Sequence, residues 1–265
     1  MQSMVVNVTI PVFNEAKRLP ASGPKLHSFL CRNCRFDFEL VIADNGSTDR
    51  TGCVADELSR TFPHTRVVHL AEKGRGRALK RVWSESKADV VSYMDVDLST
   101  DLNCFPPLIE SLLGGGFDVA TASRLLKPGL TTRGIRRESI SRCYNLLVKT
   151  MFHTRFSDAQ CGFKALPRRA AAELLPLIED NNWFMDTELL LWAEALGYRI
   201  SDLPAQWVEN ADSKVKITRT AVEDIKGLIQ IWRALRRCRM SEAANRRFSN
   251  VFMEKARDLQ GLLEP

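Results

Sequence analysis

The sequence predicts an α/β fold, with a mixed, mainly parallel sheet flanked by helices, and three observations carry that reading. Short β-branched apolar runs alternate with helical patterns over roughly the first 120 residues, as βαβ units require. Each run ends in a turn crowded with polar and charged residues. The composition, 45% hydrophobic and 26% charged in 265 residues, suits a chain that buries one sizeable core.

Taken in order, Val5–Val12 and Glu39–Asp44 are apolar runs that stop at turn residues, which suits buried parallel strands, and Arg66–Leu70 and Val90–Asp95 are the next two. Between them the spacing predicts a helix from about Pro24 to Leu30, a second from an N-cap at Thr48 to about Arg60, and a third over Arg77–Ser86. Asp118–Ala122 reads as a further strand. Longer segments follow, with helices at Ser139–Phe152, Pro167–Leu175 and Thr187–Leu196, the last closed by Gly197. Strand-like Arg199–Pro204 and Gln206–Val208 come next. From about Thr218 the pattern is helical to the end, with a polar break near Met240 and Ser241. The expected division is one domain over residues 1–217 and a basic amphipathic helical extension over 218–265.

Lysine and arginine number 38 against 32 acidic residues, a net charge of +6. Eight basic residues face two acidic ones between Lys214 and Arg239, so the excess is concentrated there. In that segment Val222, Ile225, Ile229, Trp232 and Leu235 share one helical side, while Lys226, Arg233 and Arg237 fall largely elsewhere. Such a helix either lies in an anionic membrane interface or packs on the domain with its basic face in solvent. No apolar run approaches the eighteen or so residues of a spanning helix, and the N-terminus enters a strand without a basic leader. The seven cysteines are odd in number and irregularly spaced, which fits a reducing compartment, and no zinc is expected at Cys31 and Cys34. The basic stretch lacks aromatic interleaving, so nucleic acid is not the expected partner.

An open sheet of this kind places ligands beyond the carboxyl ends of its strands. Asn14-Glu15, Asp44–Asp49, Glu72–Arg77 and Asp95–Asp97 all fall there, which makes one site. Lys73-Gly-Arg-Gly-Arg77 opens a helix, so backbone N–H groups, the helix dipole and three cations favour an anion. It has neither the GxGxxG spacing nor the Walker lysine. Asp95 and Asp97, two residues apart at a strand end, can converge on one divalent cation, and hard oxygen ligands suit Mg2+ or Mn2+ bridging a diphosphate.

Ile10-Pro-Val-Phe-Asn-Glu15, Ile42–Asp49, Lys73-Gly-Arg-Gly76 and Met94–Leu98, in this order, resemble the nucleotide-sugar half of family 2 glycosyltransferases with the GT-A fold. Asp158-Ala-Gln-Cys-Gly-Phe-Lys164, Trp183–Leu189, and Trp207 with Ser213-Lys-Val215 resemble the subgroup of dolichyl-phosphate β-glucosyltransferases and polyprenyl-phosphate glycosyltransferases. The resemblance implies that Pro11, Val12, Asn14 and Glu15 line the nucleoside and that Asp44 hydrogen-bonds the base. Lys73 and Arg77 would approach the donor, Asp95 and Val96 would lie near ribose and metal, and Asp97 would be the main metal ligand. Arg124 would sit near a phosphate of donor or acceptor. Where the family can place a further metal-holding residue two positions beyond the second aspartate, this sequence has Ser99.

The implied activity is inverting transfer of a hexose, first glucose from UDP-glucose, to a polyprenyl or dolichyl phosphate, by a metal-dependent, cytoplasmic enzyme peripheral to the inner face of the membrane. Mannose from GDP-mannose is the next donor. A lipid phosphate, with a second pKa of about 6, is already largely anionic and needs cations. Arg124, Arg133, Arg137, Arg142, Lys164, Lys214 and Lys216 would supply them, with Gln160 lining the acceptor. A hydroxyl acceptor needs a base instead, and Asp186, beside Glu188, is the candidate. Trp183 and Phe184 either wall the acceptor pocket or pack in the core. The non-enzymatic alternative is a nucleotide-sugar-binding protein without turnover.

Overall fold

The computed structural model describes residues 4–114, 116–126, 131–132, 135–208 and 220–237, with the side chains of 131–132 and 135–137 left undescribed. Seven strands form the main sheet: β1 (Val5–Val12), β2 (Asp37–Asn45), β3 (Thr65–Leu70), β4 (Val90–Met94), β5 (Val119–Ser123), β7 (Phe163–Pro167) and β8 (Ile200–Pro204). Their order is β3-β2-β1-β4-β7-β5-β8. All run parallel except β7, which is antiparallel to both β4 and β5. The start of β7 therefore lies at the same edge as the ends of β4 and β5, and this is the edge that carries the site. A separate parallel pair joins β6 (Thr131–Thr132) to β9 (Trp207–Val208).

Strand alternation divides the core in two. Val6, Val8, Ile10, Leu40, Ile42, Met94 and Phe163 face α1 (Leu19–Asn33), α2 (Thr51–Thr61) and α4 (Phe105–Gly114). Val41, Ala43, Val91, Tyr93 and Leu166 face α3 (Arg75–Glu85), α5 (Ile135–Phe152), α6 (Arg168–Leu174) and α7 (Met185–Ala195). Both faces of the sheet are covered, as a mostly parallel sheet requires.

Several boundaries differ from the sequence-based expectation. The first helix begins at Leu19 and not Pro24, with Pro20 in its first turn where a missing N–H costs nothing, and Pro24 falls inside it. Thr48 is not the cap of α2; its N–H donates to Asn14 Oδ1 at 2.8 Å, and Asp49 Oδ1 accepts from Thr51 N at 2.9 Å at the helix start. Helix α4 went unpredicted because Pro106 and Pro107 look like breakers, yet they occupy its first turn while Phe105, Leu108, Ile109 and Leu112 are buried. Strand β7 is masked in the sequence by the lysine at its second position, and the helix expected from Pro167 begins at Arg168.

Residues 220–237 form a last helix, α8. Leu228 and Ile231 enter the core, with Leu235 packed against it. Of the five apolar residues expected to share a face, Val222, Ile225, Ile229 and Trp232 point outward together, and Leu235 alone turns to the core. The helix thus carries two apolar stripes, and the buried one includes Asp224 and Gly227, which a hydropathy reading passes over.

Candidate active site

The turn after β1 and the turn after β2 are tied together. Asn14, in the left-handed region at φ 55°, donates its N–H to Ser47 Oγ at 3.0 Å, and Glu15 N donates to Thr51 Oγ1 at 2.8 Å. Val12 and Val96 are core residues and Pro11 is buried, so the side chains at these positions face the interior and not the loop edge. Asp44 is buried at the end of β2, with Oδ1 accepting from Ser47 N at 3.1 Å and Oδ2 lying 3.2 Å from His69 Nδ1. The far nitrogen of the same ring, Nε2, is 3.0 Å from Asp56 Oδ1. Asn45 links the next loop, accepting from Gly74 N at 3.2 Å while donating to Val12 O at 2.9 Å.

The three cations of Lys73–Arg77 have three fates. Lys73 is exposed, with Nζ 3.9 Å from the centre of the Phe13 ring in the turn after β1. Arg77 pairs with Glu72 and donates to Lys73 O at 3.2 Å. Arg75, between the glycines, turns inward and is buried. Its Nη1 donates to Asp186 Oδ2 at 2.6 Å and its Nη2 to Asp95 Oδ1 at 3.0 Å, while its guanidinium lies 4.6 Å from the Tyr93 ring and 4.9 Å from the Trp183 ring. The glycines permit this: a Cβ on Gly74 would lie 2.6 Å from Asn181 O, and one on Gly76 would lie 2.9 Å from Met185 Cβ. They let the first turn of α3 press against the start of α7, which sets Arg75 across Asp186.

Asp95 and Asp97 leave the end of β4 as expected. A Cβ on Gly162 would lie 1.9 Å from Asp95 Oδ2, so only glycine leaves that carboxylate its place. Asp97 Oδ1 accepts from Ser99 N at 3.0 Å, and Ser99 Oγ is buried with no hydrogen-bond partner among the described residues. Two carboxylates and an unsatisfied hydroxyl form an all-oxygen donor set that fits Mg2+ or Mn2+. Among the described residues no cluster of three or more His, Cys, Asp or Glu closes a metal cage.

Asp186 is the hub of the neighbouring network. Besides Arg75, it accepts from the Tyr93 hydroxyl and lies 3.3 Å from Lys164 Nζ. Burial raises its pKa, but Arg75, Lys164 and the hydrogen bond from Tyr93 outweigh burial and hold the carboxyl below the ordinary aspartate range. Lys164 is fully buried, donating to Cys161 O at 2.6 Å and Ala159 O at 3.3 Å. Glu188 is likewise engaged, accepting from Glu179 N at 3.0 Å and Asp180 N at 2.9 Å. Arg124 forms a fork on Asp158, from Nε to Oδ2 at 2.6 Å and Nη2 to Oδ1 at 2.8 Å. Burial raises the Asp158 pKa, and this pairing more than reverses it. Trp183 stays half open over Arg75, whereas Phe184 is buried. Arg142 pairs with Glu138 at the surface. Arg133, Lys214 and Lys216 lie outside the described residues, as does the side chain of Arg137.

A family model described as Glycosyl transferase family 2 matches residues 7–175. The chain belongs to glycosyltransferase family 2. Glycosyltransferase AglD of Haloferax volcanii is 34% identical over 232 residues, 86% of this chain and 37% of that relative, so the chain spans well under half of its length. Dolichyl-phosphate beta-glucosyltransferase of Mus musculus is 29% identical over 228 residues, 79% of this chain and 69% of its own. Among solved structures, glucosyl-3-phosphoglycerate synthase from Mycobacterium tuberculosis in complex with UDP superposes with a TM-score of 0.64 at 21% identity, over 86% of this chain and 80% of that one. Mannosyl-3-phosphoglycerate synthase from Rubrobacter xylanophilus gives 0.64 at 18%, over 88% and 75%. At these identities the likeness is one of fold, and the fold is that of the GT-A glycosyltransferases.

Within this family 2 glycosyltransferase, two residues that the sequence did not single out are central to the site: Arg75 and His69. Arg75 counts among the three cations expected to favour an anion in the Lys73–Arg77 loop, yet it turns inward to the carboxylates of Asp186 and Asp95. His69 lies at the end of an ordinary strand pattern, and only the pairing of β2 with β3, which sets Asp44 opposite His69, brings it to the carboxylate.

Proposed function

We propose that this glycosyltransferase moves glucose, with inversion, from UDP-glucose to a polyprenyl phosphate at the cytoplasmic face of a membrane. The observation that carries the acceptor class is the state of Asp186. Its oxygens are occupied by Arg75, Tyr93 and Lys164, and its pKa is depressed. A carboxylate so held is a poor proton acceptor, so the residue best placed by sequence to activate a hydroxyl is unfit for it. A phosphate monoester needs no such base, because its nucleophilic oxygen is already anionic. The names of the dolichyl-phosphate beta-glucosyltransferase relatives support the same class and the choice of glucose.

In this reading Asp44 accepts a hydrogen bond from the base, and Lys73 over Phe13 stands at the nucleoside and diphosphate edge. Asp97 and Asp95, with Ser99 Oγ, would hold a divalent cation, which supplies charge neutralisation for the departing diphosphate. Arg75, counter-ion to Asp95, keeps the carboxylate pair from repelling itself apart before the donor arrives. Arg124, fixed by Asp158, is proposed to face the acceptor phosphate, and Arg133, Arg137 and Lys214 are proposed to complete the site with Gln160.

The test is transfer of labelled glucose from UDP-glucose to polyprenyl phosphate and, separately, to the corresponding polyprenol. The expected result is product from the phosphate alone, with a rate that rises as the acceptor's second ionisation near pH 6 completes and then stays flat to about pH 9. Transfer to the alcohol or to a saccharide hydroxyl, without transfer to the phosphate, overturns the reading.

A further inference from the structure

The loop Asp158–Lys164 is gripped at nearly every position. Asp158 holds Arg124, Ala159 N donates to Asn145 Oδ1 at 2.8 Å, and Cys161 O accepts from Lys164. Gln160 is gripped from further away: its Nε2 donates to Asp224 Oδ2, 64 residues along the chain, at 2.6 Å. Asp224 belongs to α8, where it is 4% exposed among the inward-facing residues, and the others, Gly227, Leu228 and Ile231, are apolar. Its second oxygen, Oδ1, is buried without a hydrogen-bond partner among the described residues. A carboxylate in that setting is costly, and an apolar residue would pack the helix more cheaply.

The helix is also seated closely at this point. A Cβ on Gly227 would lie 2.5 Å from the Phe184 ring, two residues before Asp186, so α8 rests directly on the start of α7. Burial pushes the Asp224 carboxyl up to about 6, against the opposing hydrogen bond from Gln160, which leaves it mostly ionised at neutral pH.

We infer that Asp224 is a positioning residue of the acceptor half of the site: through Gln160 it fixes the loop whose Asp158 orients Arg124. The C-terminal helix is then a working part of the site and not an appendage to it. This rests on the proposed placement of Gln160 and Arg124 at the acceptor.

The experiment uses the full-length protein with UDP-glucose and polyprenyl phosphate, and compares Asp224→Ala, Asp224→Asn, Gln160→Ala and the double alanine variant. UDP affinity is measured by calorimetry alongside. Asp224→Ala is expected to raise the KM for polyprenyl phosphate about tenfold, with kcat and UDP affinity within about twofold of wild type. Asp224→Asn, whose amide oxygen still accepts from Gln160, should recover most of that loss. Gln160→Ala, which removes the lining residue together with the link, should lose at least as much as Asp224→Ala, and the double variant should be no worse than Gln160→Ala alone. Gln160 is only half-buried, so its variant tests the same link even where Asp224→Ala fails to fold. Losses that multiply in the double variant, or acceptor KM and UDP affinity that weaken together, overturn the role. If the wild type uses another acceptor, the lipid-phosphate reading falls by itself; the four variants are then compared on that acceptor, and an unchanged KM there overturns the role of Asp224.

Discussion

His69 shows how a single side chain can tie the turn after β2 to pH. Both ring nitrogens face carboxylates, Asp44 at 3.2 Å and Asp56 at 3.0 Å, and only the doubly protonated ring donates to both. Its pKa is raised from 6.5, first by the hydrogen bond to Asp56, with burial opposing and Asp44 adding to the rise. Because the folded value exceeds the unfolded one, the stabilisation is complete below about pH 6.5 and is lost as pH climbs through the folded value. The ring is half exposed, so solvent weakens the effect. The melting-temperature gap between wild type and His69→Gln should therefore be widest near pH 6 and close towards pH 9. A gap of constant size over that range would detach the ring's protonation from folding. Asp44 was legible in the sequence because it ends an apolar run and opens a turn. Its partner was not, because strand pairing is a long-range fact.

At the level of elements, the same distinction separates what the sequence discloses from what it conceals. The four loops at the carboxyl edge follow from apolar runs that stop at polar residues, a local pattern. Strand β7 does not, since Lys164 interrupts its apolar run. With both sheet faces covered, that lysine has no route to solvent and is drawn to Asp186 beside Tyr93, its partner in the register of β4 and β7. The expectation of Lys164 at an acceptor phosphate came from composition, which cannot tell an inward lysine from an outward one. The Gly-Arg-Gly run likewise reads as an anion loop, whereas its glycines also serve a helix contact invisible in one sequence. Gly76→Ala is the test of that contact. An added methyl 2.9 Å from Asn181 C and Met185 Cβ must force α3 away from α7, a strain of about 1–3 kcal/mol. Denaturant unfolding should show a loss of that size, and a stability equal to wild type would mean that the two helix starts are not packed as described.

Across the whole molecule, charge and apolar surface coincide on α8. Val222, Ile225, Ile229 and Trp232 are 54%, 48%, 40% and 38% exposed, and Lys226, Arg233, Arg236 and Arg237 stand on the same helix, with the Arg236 guanidinium 4.5 Å from the Trp232 ring. Among the described residues no helix is long and apolar enough to cross a membrane, so lipid contact by this segment would be made at a surface. A helix fixed to the core by Leu228 and Ile231 and apolar on its outward side is suited to that, and basic residues near an anionic bilayer contribute about 1 kcal/mol each. The inward side of the same helix holds Gln160 through Asp224, which would bring a lipid phosphate in the interface close to the proposed acceptor loop. Cosedimentation with phosphatidylserine vesicles should therefore be strong at 50 mM salt, fall steeply as the screening length shrinks towards about 3 Å at 1 M salt, and be weaker on neutral phosphatidylcholine. Replacing Ile225 and Ile229 together by serine should remove most of the binding while leaving the melting temperature unchanged, because those side chains leave the core untouched. Leu228→Ala should instead lower the stability by about 2–5 kcal/mol, since it hollows the contact that seats the helix. Full vesicle binding by the double serine variant would place the membrane-facing surface elsewhere, and a melting temperature that falls with it would show the outward stripe to be part of the packing after all.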